Sequence, residues 1–69
     1  MQKFYIVKCF KIKEEENHGV FQFFDDAIDY INSRKQDEDA VFYHVEQHIL
    51  SKPKSKQIVY SQLVINEDF

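Results

Sequence analysis

The sequence predicts an α+β domain with the order β-(β)-α-β-β, in which a three- to four-stranded, mostly antiparallel sheet carries one helix packed on one face. Three observations indicate this fold. The 69 residues suffice for one domain, which we expect to span residues 1–69. Hydrophobic residues make up 43% of the chain, enough for a small core. The spacing of apolar residues changes from a period of two to a helical period and back again.

The first strand is predicted over residues 3–12, where β-branched and aromatic residues predominate. We expect residues 14–17 to form a solvated turn, and Val20 and Phe21 to pair back as a short second strand. Because successive side chains of a strand point to opposite faces, the first strand has two partly apolar faces. One face carries Phe4, Ile6, Phe10 and Ile12, and the other carries Tyr5, Val7 and Cys9.

The stretch HGVFQFFDDA, residues 18–27, is predicted to join strand to helix, with Gly19 supplying the turn. The helix is expected to begin near Phe24, and Arg34 and Lys35 are expected to close it, followed by a polar exit over residues 36–39. Acidic residues near the start and basic residues near the end suit the helix dipole. The apolar stripe comprises Phe24, Ala27, Ile28 and Ile31, and the acidic residues are Asp25, Asp26 and Asp29.

Two further strands are predicted over residues 40–50 and 57–65, joined by a loop over residues 51–56. In the first of them, alternation predicts a core-facing set and an opposite set. The core-facing set is Val41, Tyr43, Val45 and Ile49, and the opposite set is Phe42, His44, Glu46 and His48.

A single helix leaves one face of the sheet open. Sheets with one face in water normally alternate cleanly between apolar and polar residues, and these strands do not. We therefore expect a homodimer to cover the second face, or failing that another protein. Depending on register, that face is expected to carry some of Phe4, Ile6, Phe10, Phe42, Ile58, Tyr60 and Val64.

The most suggestive polar set is His44-x-Glu46-x-His48, whose side chains would stand in a row on one face of a strand. Two imidazoles and a carboxylate are the ligand set of many zinc sites. His18 is a candidate fourth ligand, although its spacing does not place it there. The alternative interpretation is the polar side of an amphipathic strand, which needs no metal, and we expect no cofactor.

Two charged groups allow competing interpretations. Lys52, Lys54 and Lys56 are suited to contact phosphate, but they are equally typical of a hairpin tip that discourages edge pairing. The acidic residues at 14–16, 25, 26, 29 and 37–39 suggest a negative surface that mimics nucleic acid or docks a basic partner. Solvated loops and helix starts are commonly acidic, which supplies the simpler explanation.

Several classes of function are disfavoured. The net charge of −3 argues against a nucleic-acid binder, and no motif or residue spacing indicates a catalytic site. Lys8 interrupts the first apolar run, so we expect no signal peptide. No apolar stretch approaches 18 residues, so we expect no membrane helix. We therefore expect a cytoplasmic location. The single Cys9 is more typical of a small buried hydrophobe than of a nucleophile.

Four short segments follow one another in a recognisable order: Phe4-Tyr5-Ile6-Val7, Gly19-Val20-Phe21, Asp25-Asp26-Ala27 with Tyr30-Ile31, and Tyr43-His44-Val45-Glu46. Over residues 4–50 this order resembles small uncharacterised bacterial and bacteriophage domains with a G-V-F-S-S-x-E-E-A turn between a strand and a helix. The resemblance implies a compact α+β domain, often encoded by a phage or prophage, with no assigned activity. It supplies no catalytic or binding residue.

The chain departs from that pattern at Phe23, where a Ser or Thr would cap the helix. A Phe side chain cannot accept the capping hydrogen bond. Either Asp25 or Asp26 caps a shifted helix, or Phe23 packs as a hydrophobic staple, or Phe23 is exposed and contacts a partner.

Because the strands carry surplus apolar surface and no catalytic set is recognised, we expect a non-enzymatic, homodimeric interaction or regulatory domain. The alternatives are a phage-type inhibitor with an acidic surface and a metal-binding module. The candidate partner-binding residues are Phe23, Phe42, His44 and Tyr60.

Overall fold

The computed structural model describes residues 2–33 and 40–64. In these ranges the chain forms one four-stranded antiparallel sheet and one helix, which confirms the predicted α+β class. Within these ranges the strands stand in the order β2-β1-β3-β4, and all neighbouring strands are antiparallel. The elements are β1 (Lys3–Lys11), β2 (Glu15–Phe21), α1 (Phe24–Ser33), β3 (Ala40–Ile49) and β4 (Lys52–Leu63).

The two central strands, β1 and β3, provide most of the buried core. Val7 lies opposite Val45, and Cys9 lies opposite Tyr43. We call this side of the sheet the Tyr43 face. The helix contacts β1 and β2 and adds two side chains to the core, as its apolar stripe predicts. Among the described residues, the buried hydrophobic cluster is Val7, Cys9, Ala27, Ile31, Tyr43 and Val45.

The second strand is longer than predicted. The turn after β1 closes where the amide of Lys11 donates to the carbonyl of Glu14, at 2.7 Å. Residues 15–17, expected to form a solvated turn, instead belong to β2. The run of glutamates suggested solvent, but Glu16 pairs with Lys11, with Oε1 and Nζ 3.0 Å apart. Pairing with β1 therefore outweighs the low strand propensity of these residues.

Gly19 was wrongly predicted to supply a turn. It lies within β2 opposite Val7 and has no positive φ. A bulge beside it leaves His18 as the extra residue, between the pairs Val7–Gly19 and Lys8–Asn17. A Cβ at position 19 would lie 3.0 Å from Cε2 of Phe21. A side chain at this position would therefore require the Phe21 ring to shift by a few tenths of an ångström.

The helix begins where the sequence predicts, with Asp25 and Asp26 in its first turn. The amide of Ala27 donates to the carbonyl of Phe23 at 3.3 Å, so Phe23 occupies the N-cap position. The predicted basic end at residues 34 and 35, and the polar exit at 36–39, lie outside the described residues.

The predicted loop over residues 51–56 is wrong, because β4 already begins at Lys52. The chain reverses at Leu50 and Ser51, and Ser51 takes a φ of 70°. Ser55 bridges the irregular pairing beyond this turn: its Oγ accepts from the amide of Ile49 at 2.8 Å and donates to the carbonyl of Lys52 at 2.7 Å. Pro53 is tolerated because β4 is an edge strand. The predicted end of this strand at residue 65 lies outside the described residues.

In β3, Tyr43 and Val45 are fully buried as predicted, whereas Val41 is exposed and Ile49 is half-buried. Val41 sits at a register shift, because Phe10 pairs with Phe42 and Lys11 pairs with Ala40. The irregular pairing at this end of the strand therefore breaks the expected alternation.

Core packing at Ile31 can be tested by truncation. We expect Ile31→Ala to lower the free energy of unfolding by about 2–5 kcal/mol, because it leaves a cavity in the core. Ile31→Val, with an expected loss of about 0.5–1.5 kcal/mol by analogy with other cores, keeps the measurement in range if the larger truncation unfolds the chain. Urea denaturation followed by circular dichroism provides the measurement.

The matched control is Ile12→Ala, because Ile12 is 78% exposed. We expect that substitution to change the free energy of unfolding by no more than about 0.5 kcal/mol. Equal losses for Ile31→Ala and Ile12→Ala would contradict the placement of the core.

Candidate functional site

The candidate site lies on the side of the sheet opposite the Tyr43 face. We call this side the Glu46 face. Cross-strand pairing places Lys8 beside His44 and Ile6 beside Glu46. The central strands contribute Phe4, Ile6, Lys8 and Phe10 from β1, and Phe42, His44, Glu46 and His48 from β3.

A single carboxylate organises the centre of this face. Glu46 Oε2 accepts from Nε2 of His44 at 2.9 Å and pairs with Nζ of Lys8 at 3.2 Å. Its Oε1 accepts from Nε2 of His48 at 3.0 Å. We call these four side chains the Glu46 cluster. The row predicted from the two-residue spacing is therefore present, and the carboxylate joins both imidazoles to a lysine on the neighbouring strand.

The Glu46 cluster is buried by its own neighbours. Glu46 is 2% exposed and His44 is 6% exposed. The ring of Phe10 contacts the edge of His44, with centroids 4.6 Å apart, and stacks on Phe42 at 4.5 Å. Phe4 stacks on His48 at 5.1 Å. Aromatic rings thus lie on both sides of the carboxylate and shield it from water.

Burial and hydrogen bonding act in opposite directions on the carboxylate. Desolvation alone would raise the pKa of Glu46, but hydrogen bonds from His48, His44 and Lys8, together with the charge of Lys8, outweigh it. The pKa falls from 4.5 to about 2. An ionised carboxylate only accepts hydrogen bonds, so both imidazoles must carry a proton on Nε2.

This arrangement explains what the His-Glu-His row does in the fold. In this arrangement each Nε2 donates a hydrogen bond to Glu46 and therefore offers no lone pair to a metal. Within residues 2–33 and 40–64, no group of three or more His, Cys, Asp and Glu side chains is arranged to hold a metal ion. His18 is remote from the row, because its ring packs against Tyr30 and Tyr43. Metal binding by His44, Glu46 and His48 stays an untested prediction.

Exposed apolar side chains surround the Glu46 cluster. Val20 of β2 lies beside Ile6, Ile58 of β4 lies beside Glu46, and Leu63 lies beside Phe42. Their exposed fractions are 67%, 53% and 71% respectively. Exposed apolar surface on a protein can mark a contact site, so these three side chains make the Glu46 face a candidate contact surface.

The other predicted partner-binding residues differ in their positions. Phe42 and His44 lie on the Glu46 face as expected. Tyr60 does not, because it lies opposite Val45 and packs against the buried core. Val64 also packs against that core rather than on the open face. A register shift between Val45 and Glu46 changes the alternation of β4, which periodicity alone does not predict.

Phe23 is 60% exposed at the N-cap of α1. This exposure argues against the staple interpretation, which requires the ring to pack on the helix. The helix has not shifted its start to place an aspartate at the cap, since Asp25 and Asp26 lie within its first turn. Contact of Phe23 with a partner stays a prediction.

The sheet accounts in part for the two sets of charged residues noted in the sequence, the acidic residues and the lysines at positions 52, 54 and 56. Glu15 lies 3.9 Å from Nζ of Lys8, and Glu16 pairs with both Lys11 and His18. These partners neutralise part of the predicted acidic surface, and residues 37–39 lie outside the described residues. Lys52, Lys54 and Lys56 belong to edge strand β4 rather than to a loop.

Sequence reasoning missed Lys8 as a member of the site. A lysine between Ile6 and Phe10, on an otherwise apolar face of a strand, indicates a buried partner of opposite charge. Finding that partner required the register of β1 against β3, which the sequence alone does not supply.

Comparison with known proteins finds no family model, no curated protein and no solved structure that matches this chain. Within the described residues, no helix is long and apolar enough to span a membrane.

The role of the carboxylate predicts a specific dependence of stability on pH. Because the folded pKa of Glu46 lies below its usual value, its stabilising contribution is complete above about pH 4.5. That contribution declines as the pH falls, and is lost near pH 2. At pH 7, Glu46→Gln is expected to lower the free energy of unfolding by about 1–3 kcal/mol, the lower figure allowing for solvent screening.

The measurement is urea denaturation between pH 2 and pH 7, with Glu14→Gln as the control because Glu14 is exposed. The difference between wild type and Glu46→Gln should shrink as the pH approaches 2. A difference that stays constant across this range would contradict the role assigned to the Glu46 carboxylate.

The cap position provides a second prediction. Phe23→Ser is expected to raise the free energy of unfolding by about 1 kcal/mol, because the hydroxyl accepts a hydrogen bond from a free amide of the first helical turn. Phe23→Ala serves as the control for removing the ring without supplying an acceptor. Equal changes in melting temperature for the two variants would contradict the assignment of position 23 to the N-cap.

Proposed function

We propose that this chain is a small, non-enzymatic interaction domain with a regulatory role, and that it forms a homodimer through the Glu46 face. In this proposal α1 covers only the Tyr43 face, and the partner covers the other. The observation that carries the proposal is the exposure of Val20, Ile58 and Leu63 beside a ring-shielded charged cluster on one continuous sheet surface.

The energetics favour burial of this surface. Full burial of an apolar side chain of this size stabilises by about 1.5–3 kcal/mol, and all three are more than half exposed. A chain of 69 residues with one cysteine has neither an internal disulfide nor a large core. Association would supply the apolar burial that the small core provides only in part.

The Glu46 cluster makes the surface suitable for a specific partner. Its carboxylate is already neutralised by Lys8 and hydrogen-bonded by two imidazoles. A partner that covers the centre of the face therefore meets a Glu46 carboxylate whose charge is already compensated, whereas an uncompensated buried charge would oppose association strongly.

The proposal predicts that Ile58→Lys converts the protein from dimer to monomer, because it places a charge within the buried interface. Sedimentation velocity over a range of concentrations measures the change. The matched control is Phe23→Lys, since Phe23 is 60% exposed and Ile58 is 53% exposed. Only the variant at position 58 should dissociate.

Circular dichroism of both variants confirms that the fold is retained. A wild-type protein that sediments as a monomer at all concentrations would contradict the homodimer. Dissociation by Phe23→Lys, with Ile58→Lys still dimeric, would place the interface at the start of α1 instead.

A further inference from the structure

A hollow with basic side chains at its rim lies at the end of the sheet where β1 begins and the β3–β4 hairpin turns. The amide of Leu50 donates to the carbonyl of Gln2 at 2.9 Å, which holds the hairpin against the start of β1. The hollow has a volume of about 310 Å³. Its lining includes Phe4, Ile49, Leu50 and Pro53, together with His48 and Lys52.

Two further hollows adjoin the first. One adds Lys54 beyond Lys52, and the other adds Lys3 beyond Phe4. No aspartate or glutamate of residues 2–33 and 40–64 lines any of the three hollows. We call the three hollows, with the lysines at positions 3, 52 and 54, the basic end of the sheet.

Strand pairing brings two of these lysines near each other without a counter-charge. Lys3 lies opposite Ile49 on one side, and Lys52 lies opposite it on the other. Since neighbouring strands are about 4.8 Å apart, the backbones at Lys3 and Lys52 are roughly 10 Å apart. In the described part of the chain neither forms an ion pair, whereas Lys8 and Lys11 pair with glutamates. The basic end therefore carries uncompensated positive charge, although the whole chain carries −3.

Protection of a sheet edge accounts for only part of this arrangement. Lysines on an edge strand discourage pairing with another sheet, which suits Lys52 and Lys54 on β4. Lys3 belongs to the central strand β1, which has no open edge, and edge protection requires no apolar hollow. Apolar lining with charges of one sign at its rim is typical of a site for a ligand of the opposite charge.

We propose that the basic end binds an extended acidic segment of another protein. One apolar side chain of the segment occupies the hollow, and its carboxylates pair with Lys52, Lys54 and Lys3. The volume of the first hollow is at the lower limit of ligand pockets, which span roughly 300–1,000 Å³, and this suits a single side chain. The inference goes beyond the homodimer and does not depend on it.

The shape of the basic end favours a peptide over a membrane surface. A membrane accepts apolar side chains that protrude from the protein. Of the described residues that line the first hollow, only Leu50 is a large apolar residue with more than half of its surface exposed, at 53%. One leucine supplies little surface for insertion, whereas a concave hollow receives a side chain that projects from a partner.

Fluorescence anisotropy with the full chain and a labelled synthetic peptide tests the proposal. The peptide has one phenylalanine flanked on each side by two glutamates. We expect binding that weakens as salt is added, because salt screens exposed charges. Replacing the glutamates of the peptide with glutamines should weaken binding by more than about tenfold in Kd. Replacing its phenylalanine with glycine should also weaken binding, because the hollow is then left unfilled.

Charge reversal on the protein locates the site. Lys52→Glu is expected to weaken binding of the acidic peptide by more than about tenfold in Kd, because like charges then face each other. The matched control is Lys13→Glu, since Lys13 is also exposed and lies beyond the other end of β1. That strand is roughly 30 Å long, several times the Debye length of about 8 Å at physiological salt. The control should therefore bind as the wild type does.

Circular dichroism of each variant confirms folding, and Lys54→Glu replaces Lys52→Glu if the latter does not fold. Equal losses for Lys52→Glu and Lys13→Glu, or no binding by the wild type at low salt, would overturn the proposal. Tighter binding to phosphatidylserine vesicles or to single-stranded oligothymidylate than to the peptide would also overturn it, and would assign the basic end to a membrane or to nucleic acid.

A last variant separates this inference from the homodimer. Ile58→Lys, which is designed to disrupt the dimer, should bind the peptide at least as tightly as the wild type. That result supports the peptide site even where sedimentation shows the wild type to be a monomer. Loss of peptide binding in Ile58→Lys would place the peptide on the proposed dimer surface and would overturn the assignment to the basic end.

Discussion

The pairing of β1 with β3 is the constraint on which the rest of this structure depends. These central strands place Val7 opposite Val45 on one side of the sheet and Lys8 beside His44 on the other. One register thus builds the apolar core and the Glu46 cluster together. Because side chains alternate with a period of two, a slip by one residue would exchange the two faces.

The Glu46 cluster also makes this register specific. Its carboxylate accepts hydrogen bonds from two imidazoles of its own strand and pairs with Lys8 of the neighbouring strand. Apolar pairs tolerate small displacements, whereas a buried carboxylate needs its donors within hydrogen-bonding distance. The cost of burying a charge is offset only in the native pairing, so competing registers are disfavoured.

Sequence patterns predicted the local elements better than their pairing. Alternation placed Tyr43 and Val45 in the core and His44, Glu46 and His48 in one row, and the helical stripe placed Ala27 and Ile31. The extent of β2 and β4 was underestimated, because glutamates, lysines and a proline suggest loops when they are considered without their strand partners. The face occupied by Tyr60 was left open by the sequence, because it depends on the register of β4 and on a bulge in that strand. These errors share a cause, since long-range pairing decides them and no local pattern encodes it.

The central claim is that a second copy closes the Glu46 face, and the most direct test is a dilution series of two-dimensional amide NMR spectra. We predict concentration-dependent shifts at Val20, Ile58, Ser61 and Leu63, which surround the Glu46 cluster, with the amides of α1 unchanged. Shifts confined to α1, or spectra that do not change with concentration while sedimentation reports a monomer, would contradict the account.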